Sequence, residues 1–476
     1  MLFNSIEFLL FFLIVIPLYF LLPHRLRWGM LLIASSIFYM YFKPVYILIL
    51  LVTILIDYFA GIAIERTEAQ KPRKLLLVLS LISNIGILFF FKYFNFISEN
   101  LGGLLSLSGR EVHLPVLNML LPIGLSFHTF QAMSYTIEVY RGKQKAEKHL
   151  GYYALYVLYF PQLVAGPIER PQNILHQLRE DHKFDYARFI DGLQLMLWGL
   201  FKKMVIADRL SVFVDTVYNN PHNFSGLPVI LATVFFAFQI YCDFSGYTDV
   251  ARGVSRIMGI ELMVNFRRPY LSQSVSEFWR RWHISLSTWF RDYLYIPLGG
   301  SRGSSLFKMR NTLIVFGISG LWHGANWTYI FWGLLNGAFI IGETMLRRDK
   351  LDAYAAGTHS FGQTIRLYFN QLVCFILICF TWVFFRANSM GDAMHVIGSM
   401  FSFHDLSIGV ATVSGSTLRL DFILILLLLM LEHFYEYRPR TAVRAISYQY
   451  VWLYVLAVCI FTFGIYDKQA FIYFQF

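Results

Sequence analysis

Apolar segments long enough to cross a bilayer recur along this chain of 476 residues, and they constrain the fold more than any other feature. Examples are IEFLLFFLIVIPLYFLL, YILILLVTILIDYFAGIAI and LLLVLSLISNIGILFFF, and the shorter apolar run FILILLLLML lies within a further segment. A helix needs about 20 apolar residues to span the roughly 30 Å hydrocarbon core, whereas barrel strands alternate polar and apolar residues over about 10 positions. The pattern therefore predicts an all-α polytopic membrane protein.

The number of these segments predicts a bundle of roughly 11–13 membrane helices. No internal repeat is visible in the sequence, which disfavours an inverted-repeat transporter. The approximate predicted spans are 6–22, 28–43, 45–64, 75–97, 117–138, 150–165, 190–217, 228–257, 311–326, 328–346, 368–386, 420–436 and 449–466. The segments 98–116 and 403–419 are expected to be short outer loops.

Basic residues cluster in the connections between the apolar spans. The net charge is +11 although only 14% of the residues are charged, and the clusters PHRLRW, ERTEAQKPRK and RGKQKAEK follow the first, third and fifth spans. Loops rich in lysine and arginine stay in the cytoplasm, so this alternation predicts an extracytoplasmic N-terminus. Anionic membrane lipids are the expected partners of the remaining positive charge, and no nucleic-acid partner is expected.

Proline and glycine interrupt two of the predicted spans. YFPQLVAGPIERPQN places Pro161, Gly166, Pro167 and Pro171 where a membrane helix should continue, and LPIGLSFHTFQAMSY is a second weakly apolar span. Irregular backbone at membrane depth persists only when it is buried in protein or lines a wet cavity. The first interruption therefore predicts a re-entrant element beside a cavity.

The segment 265–310 contains no apolar span and is strongly basic, with eight arginines and lysines against two acids. Within it, SVSEFWRRWHISLSTWF places Phe278, Trp282 and Leu286 four residues apart, as on one face of a helix. An N-cap at Ser274 or Ser276 and a Glu277–Arg281 pair support that helix. A basic amphipathic helix with tryptophans is expected to lie in the membrane interface, here on the cytoplasmic side.

Two histidines stand among tryptophans, His283 in the basic segment and His323 in GLWHGANWTYIFWG. Each could be a structural histidine that is held by one backbone carbonyl. Polar residues at membrane depth more often face a functional cavity, and Asn326 falls three residues after His323, where an amide on the same helical face could orient the ring. A dry site keeps an imidazole neutral and basic, which suits a general base that removes a proton from a hydroxyl.

Other chemistries have weaker support in the sequence. No GxSxG elbow, HExxH motif or close Cys/His cluster is present, which disfavours covalent serine catalysis and a metal site. Four cysteines lie in or beside apolar segments and are expected to be packing residues; they are Cys242, Cys374, Cys379 and Cys459.

A cluster of polar residues follows the apolar run that begins near residue 228. YCDFSGYTDVARG brings together Asp243, Ser245, Tyr247 and Asp249, which are too dense in polar groups for a lipid-facing surface. They mark either a helix end that emerges into water or a cavity wall that holds the histidine region or a substrate. Either aspartate could pair with the arginines that follow.

Five stretches together carry a specific resemblance. FPQLVAGPIERP, CDFSGYTDVARG, EFWRRWHISLSTWFRDYLYIPLGG, GLWHGANWTYIFWG and TWVFFRAN resemble the membrane-bound O-acyltransferase (MBOAT) superfamily, and within it the bacterial alginate O-acetylase branch. They cover roughly 160–390, and the FIYFQF ending also fits. WRRWHISLS is similar to the D-alanyl-teichoic-acid member as well.

The resemblance implies a helical fold around a tunnel, with the histidine matched by His323 deep inside it as the catalytic base. His283 matches a second, cytoplasm-facing histidine that is expected to act at the donor end. Acetyl-CoA is the implied donor substrate, with no permanently bound cofactor. The residues expected to bind substrate are Trp279, Trp282, Trp322, Asn326, Asp243, Ser245, Tyr247, Arg281 and Arg291. The basic surface of 267–310 suits the coenzyme A phosphates or, equally, a lipid surface.

These observations predict a single membrane acyltransferase domain over 1–476, with N-terminal helices in 1–150, a catalytic core in 151–345 and C-terminal helices in 346–476. The expected function is O-acetylation of an exported polysaccharide such as alginate, from the bacterial inner membrane, directly or through an exported serine-dependent acetyltransferase. The alternatives are peptidoglycan O-acetylation, teichoic-acid D-alanylation, or non-catalytic transport of a glycan or lipid.

The charge pattern makes a testable prediction about topology. The N-terminus and 98–116 should be extracytoplasmic, whereas 65–74, 141–148 and 267–310 should face the cytoplasm. On a cysteine-free background, Gln70→Cys should react with an impermeant maleimide only after the membrane is opened. Labelling of this position from outside intact cells would contradict the topology.

Overall fold

A computed structural model describes residues 1–107, 114–117, 119, 121–346, 360–402, 415–437, 446–466 and 471–472. Within these ranges every regular element is a helix, which confirms the predicted all-α class. The chain groups into two compact units. Unit 1 contains Met1–Met196 and Tyr247–Met263, and unit 2 contains Leu197–Gly246 and Val264–Ile472.

In the described part of the chain, unit 1 contains six α-helices of 13 to 20 residues, three shorter α-helices and parts of two more. Its helices are α1 (Ile6–Leu21), α2 (His24–Met40), α3 (Ile47–Arg66), α4 (Gln70–Leu88), α5 (Phe94–Ser106), α6 (Leu125–Tyr140), α7 (Leu150–Leu158), α8 (Phe160–Leu163), α9 (Pro171–Ile174) and most of α10 (Tyr186–Leu200). A π-helical turn, Phe89–Tyr93, continues α4 into α5.

Unit 2 contains the remaining helices. They are α11 (Asp208–Tyr218), the first part of α12 (Leu227–Ile257), α13 (Val275–Arg281), α14 (Ile284–Phe290), α15 (Ser305–His323), α16 (Trp327–Met345), α17 (Phe361–Arg386), α18 (Met390–Ser399), α19 (Gly415–Tyr437) and α20 (Ile446–Phe463). Three of the four cysteines, Cys242, Cys374 and Cys379, are buried in unit 2, as expected of packing residues.

Four of the described helices are long and apolar enough to cross a membrane. They are Pro44–Arg66, Gln70–Ser106, Leu227–Ile257 and Phe361–Arg386, and they cover four of the predicted spans. The predicted loop at 98–116 is wrong up to Ser106, because α5 continues to that residue. Residues 108–113 of that loop and 403–414 of the second predicted loop lie outside the described residues.

The interruption predicted around Pro161 and Gly166 is confirmed. The helical segments α7, α8 and α9 are separated by irregular backbone that is buried, with Ala165 and Glu169 each 0% exposed. Polar contacts satisfy this backbone, since the Tyr156 hydroxyl donates to the Glu169 carbonyl at 3.1 Å. Irregular backbone thus persists here because protein surrounds it. A cavity beside it stays a prediction.

Two glycines bring the backbones of α15 and α16 into direct contact. A Cβ at Gly333 would overlap the carbonyl oxygen of Phe316, and one at Gly320 would overlap the carbonyl oxygen of Tyr329. Small residues allow such close helix packing in membrane proteins. This contact matters for the site, because His323 is the last residue of α15.

Gly333→Ala should therefore lower the midpoint of thermal unfolding in detergent. The added methyl group must push the two helices apart, and such overpacking typically costs about 1–3 kcal/mol. Gly342→Ala, on the same helix but with no atom within 4 Å of the added Cβ, is the matched control and should not lower it. Equal midpoints for the two variants would mean that the close contact does not stabilise unit 2.

Candidate active site

His323 lies at the point where α15 ends. Its side chain is buried, and the following residue, Gly324, has extended backbone with φ −158°. The imidazole packs edge-on against Trp322 and Trp332, with ring centroids 4.9 and 5.1 Å apart, and against Phe385 at 5.5 Å. Three aromatic rings thus surround a titratable group in a site with little access to water.

The structure corrects the orientation predicted for Asn326. Because the chain leaves the helix at Gly324, the three-residue spacing does not place Asn326 on the helical face of His323. Asn326 is instead the N-cap of α16, and its side-chain oxygen accepts a hydrogen bond from Thr328 N at 3.0 Å. Asparagine is a favoured residue at this position, so Asn326 fixes the start of the next helix.

His283 occupies a break between two short helices, and the single amphipathic helix predicted through Phe278, Trp282 and Leu286 is wrong. The helix α13 ends before Trp282, and α14 begins after His283, whose backbone is left-handed with φ 42°. A non-glycine residue rarely adopts this conformation. Each helix has seven residues, or about 10 Å, so neither can cross a bilayer.

Asn265 holds this break in place. Its carbonyl oxygen accepts from Ile284 N at 2.9 Å, and its side-chain oxygen accepts from Ser285 N at 3.1 Å and Ser285 Oγ at 2.9 Å. The same amide oxygen lies 3.3 Å from Nδ1 of His283. An amide oxygen only accepts, so Nδ1 carries the proton and Nε2 is the basic nitrogen of the ring.

His283 is 0% exposed. Burial lowers the pKa of His283 to about 3, because the charged imidazolium loses its hydration inside the protein. The imidazole is therefore neutral at physiological pH. Phe244 packs edge-on against it, with ring centroids 4.6 Å apart.

Trp322 brings the two predicted histidines together. Its ring centroid is 4.9 Å from that of His323 and 6.4 Å from that of His283. The sequence places these histidines on separate segments, and the structure makes them neighbours of one buried indole. Both belong to unit 2.

A cavity of about 290 Å³ lies between α13, α14, α15 and α16. Among its lining residues, Arg280 and Arg291 are exposed and Ser319 is buried. Ser319 precedes His323 by four residues on α15, which is about 6 Å along the helix axis. Aromatic and apolar side chains form most of the wall, among them Trp279, Leu286, Phe290, Tyr295, Val315 and Phe316.

The two faces of α13 have different contacts. Ser276, Trp279 and Arg280 line the cavity, whereas Arg281 pairs with Glu277 at 2.7 Å and with Glu436 at 2.8 Å. The predicted Glu277–Arg281 pair is confirmed. So is the predicted N-cap at Ser274, whose Oγ accepts from Glu277 N at 3.1 Å.

Of the arginines predicted to bind substrate, Arg291 lines the cavity and Arg281 is held by its two acidic partners. Arg280, which the sequence analysis did not single out, lines the cavity, and it makes no ion pair within the described part of the chain. Ser276 lies three residues before Trp279 and four residues before Arg280. This spacing places the three side chains on one helical face, and it could have predicted that Arg280 lies beside Trp279.

The polar residues of YCDFSGYTDVARG lie in the middle of α12, so the helix end emerging into water is excluded. Asp243 is buried and contacts Lys203 Nζ at 2.6 Å, and Ser245 accepts a hydrogen bond from Lys202 Nζ at 2.9 Å. These two residues belong to unit 2, and neither lines the cavity of about 290 Å³.

The remaining two residues of this motif belong to unit 1. Tyr247 stacks on Phe3 with centroids 4.3 Å apart, and Asp249 pairs with Arg252 at 3.1 Å, as predicted for an aspartate followed by arginines. Trp282 is buried in unit 2, where it stacks on Phe278 at 5.3 Å and packs against Trp382. The roles predicted for these residues in substrate binding stay predictions.

Three contributors to the site were missed from the sequence. Asn265 lies 18 residues before His283 and carries no local signal. Trp332 and Phe385 stand inside GLWHGANWTYIFWG and TWVFFRAN, which the resemblance had marked without assigning those two residues. Only the packing of α15, α16 and α17 brings their rings to His323.

The sequence matches a family model described as the membrane-bound O-acyltransferase family over residues 73–380. The chain belongs to the membrane-bound O-acyltransferase family. It is accordingly a membrane-embedded acyltransferase, with both histidines and the cavity inside the matched region.

The chain is similar to members of this family that carry different named activities. The chain is 36% identical to a probable alginate O-acetylase of Azotobacter vinelandii, over 89% of this chain and 84% of that protein. It is 34% identical to the peptidoglycan O-acetyltransferase of Helicobacter pylori, over 79% and 74% respectively. It is also 31% identical to the teichoic acid D-alanyltransferase of Streptococcus thermophilus, over 48% of this chain and 58% of that protein.

Neutral His283 predicts how the stability depends on pH. Below about pH 6.5 a histidine in the unfolded chain takes up a proton, whereas buried His283 stays neutral down to about pH 3. Stability should therefore fall as the pH drops through this window, by up to about 1.4 kcal/mol per pH unit from this group.

His283→Gln should flatten the decline of the thermal unfolding midpoint between pH 7 and 5. Phe401→Gln, a substitution of an exposed residue that does not titrate, is the control and should keep the wild-type slope. If the His283→Gln protein had the wild-type slope, His283 would not be the neutral buried group described above.

Proposed function

We propose that this acyltransferase takes acetyl from acetyl-CoA at the cytoplasmic face and moves it outward for O-acetylation of an exported polysaccharide. The observation that supports this most strongly is the cavity between α13 and α16. Its exposed arginines suit an anionic donor, and its buried Ser319 stands one helical turn from His323. The basic clusters of the sequence support the cytoplasmic assignment and a bacterial inner-membrane location with the N-terminus outside.

The electrostatics of the cavity favour coenzyme A. Arg280 and Arg291 line it and are exposed, and guanidinium groups bind phosphate oxygens through paired, charge-assisted hydrogen bonds. Arg291 also contacts Asp292 at 2.8 Å, but this pair is exposed and therefore weak, so the guanidinium can still bind a phosphate. We assign the phosphates of the donor to these two arginines.

The walls of the cavity suit the rest of the donor. Leu286, Phe290 and Phe316 present apolar surface to the pantetheine arm, and Ser276 and Ser287 offer hydroxyl groups. Aromatic rings around His323 limit the access of water. Excluding water from this region would protect the thioester from hydrolysis.

His323 is the proposed general base. It takes the proton of the acceptor hydroxyl as that oxygen attacks the thioester carbonyl carbon. The new carbon–oxygen bond forms, the carbon–sulfur bond breaks, and the protonated His323 gives its proton to the leaving coenzyme A thiolate, which restores the neutral base. His283, whose proton is held on Nδ1 by Asn265, would then position the donor through its Nε2 on the other side of Trp322.

The acceptor is proposed from the relatives. Alginate and peptidoglycan, which appear in the names of relatives that match most of this chain, are polymers outside the cytoplasm. We therefore propose an exported polysaccharide as the final acceptor, reached through an exported serine-dependent acetyltransferase that docks on the outer face. D-alanyl transfer has less support, because that relative matches only 48% of the chain.

Substitution of the two histidines tests the assignment. His323→Ala should abolish acetyl transfer with little effect on acetyl-CoA affinity, since a general base typically contributes about 10²–10⁴ in rate. His323→Gln should fail as well, because an amide cannot accept the proton. His283→Ala should weaken acetyl-CoA binding more than it affects transfer of acetyl that is already bound.

The experiment measures acetyl-CoA affinity and acetyl transfer side by side, in membranes that contain the polymer-synthesis partners. His222→Ala, a substitution of an exposed histidine, is the control and should behave as the wild type. Near-normal transfer by a well-folded His323→Ala protein would make His323 a structural histidine. Loss of affinity in the control would show that the assay reports general damage.

A further inference from the structure

We propose that Trp279 sets the length of the acyl group that this protein accepts, and that it restricts the donor to acetyl or another short acyl thioester. This inference rests on the acyl-CoA donor proposed above and adds a residue that determines its specificity. The observation behind it is the place of Trp279 between the cavity and the rings around His323.

Trp279 contacts both the cavity and the aromatic rings around His323. Its side chain lines the cavity of about 290 Å³, and its ring packs against Trp332 with centroids 5.5 Å apart and an interplanar angle of 71°. Trp332 in turn packs edge-on against His323 at 5.1 Å. The indole of Trp279 is therefore part of the cavity wall and is in contact with the aromatic rings around the proposed base.

The ring of Trp279 is held firmly. Its Nε1 donates to the side-chain oxygen of Asn336 at 3.2 Å, and Asn336 is 0% exposed. The amide nitrogen of Asn336 donates to the carbonyl of Trp332 at 2.8 Å. Trp279 also packs against Phe316 and Phe278, each with ring centroids 5.4 Å apart. One asparagine thus couples the orientation of Trp279 to the helix that carries Trp332.

A rigid side chain at the position of Trp279 limits the length of the acyl chain and does not affect the binding of the coenzyme A part of the donor. Trp279, Phe316 and Ser319 line the cavity together, and Trp332 packs against Trp279, so an acyl group bound near Ser319 would meet these rings. Each added methylene would have to displace an indole that is fixed by packing and by a hydrogen bond. Pockets of this kind discriminate one methylene by about 10- to 200-fold.

Binding of coenzyme A thioethers of graded length tests this proposal without any acceptor. The purified protein is titrated with S-ethyl-CoA and S-butyl-CoA, which match the acetyl and butyryl groups in chain length. The wild type should bind S-ethyl-CoA at least about 10-fold more tightly. Trp279→Ala, which opens space toward Trp332, should remove or reverse this preference, and Trp279→Phe should give an intermediate ratio.

Trp289→Ala is the matched control, because Trp289 is a buried tryptophan of α14 that does not line the cavity. It should keep the wild-type ratio. If Trp279→Ala does not fold, Trp279→Phe and Trp279→Leu carry the test through the same ratio.

The outcomes separate the two proposals. A wild type that binds no coenzyme A thioether would overturn the proposed function, and the role of Trp279 with it. A wild type that binds S-ethyl-CoA and S-butyl-CoA equally, or a folded Trp279→Ala protein that keeps the preference for S-ethyl-CoA, would overturn the role of Trp279 alone. Equal loss of both thioethers in Trp279→Ala would also overturn it and would make Trp279 a support for Trp332.

Discussion

The direct backbone contact between α15 and α16 is the constraint on which the arrangement of the site depends. Gly320 and Gly333 have no side chain, so each helix can approach a carbonyl group of the other. Only this approach allows Trp332, on α16, to reach His323 at the end of α15 with ring centroids 5.1 Å apart. The cavity wall depends on the same contact, because Phe316 and Ser319 belong to α15 and Ile340 belongs to α16.

In unit 2, the helical period of α13 directs two neighbouring arginines to different surroundings. Arg280 is directed to the cavity, whereas its neighbour Arg281 is neutralised by Glu277 and Glu436. Successive residues on a helix differ by about 100° in direction, so one short segment supplies both a ligand-facing cation and a structural ion pair. The imidazoles of His283 and His323 in the same unit are surrounded by aromatic rings. Such an arrangement suits a donor with an anionic head and an apolar, reactive end.

Much of the fold follows from the sequence, because long apolar helices and proline or glycine interruptions have local causes. The apolar runs over 45–64 and 228–257 are helices, and the backbone breaks near Gly166 as predicted. The site was harder to predict where it depends on tertiary contacts. The apolar spacing of Phe278, Trp282 and Leu286 favours one helix, yet the distant Asn265 stabilises a left-handed His283 that divides it. In the same way, the spacing from His323 to Asn326 indicates one helical face, but Gly324 ends the helix between them.

The central claim is that the cavity delivers an acyl thioester to His323, and a cryo-EM structure with bound S-ethyl-CoA tests it most directly. The account predicts phosphate density within ion-pair distance of Arg280 and Arg291, and the ethyl group beside Ser319 next to the ring of His323. The pantetheine arm should follow the wall formed by Leu286, Phe290 and Phe316. Density for coenzyme A elsewhere in the protein, or an ethyl group directed away from His323, would contradict the account.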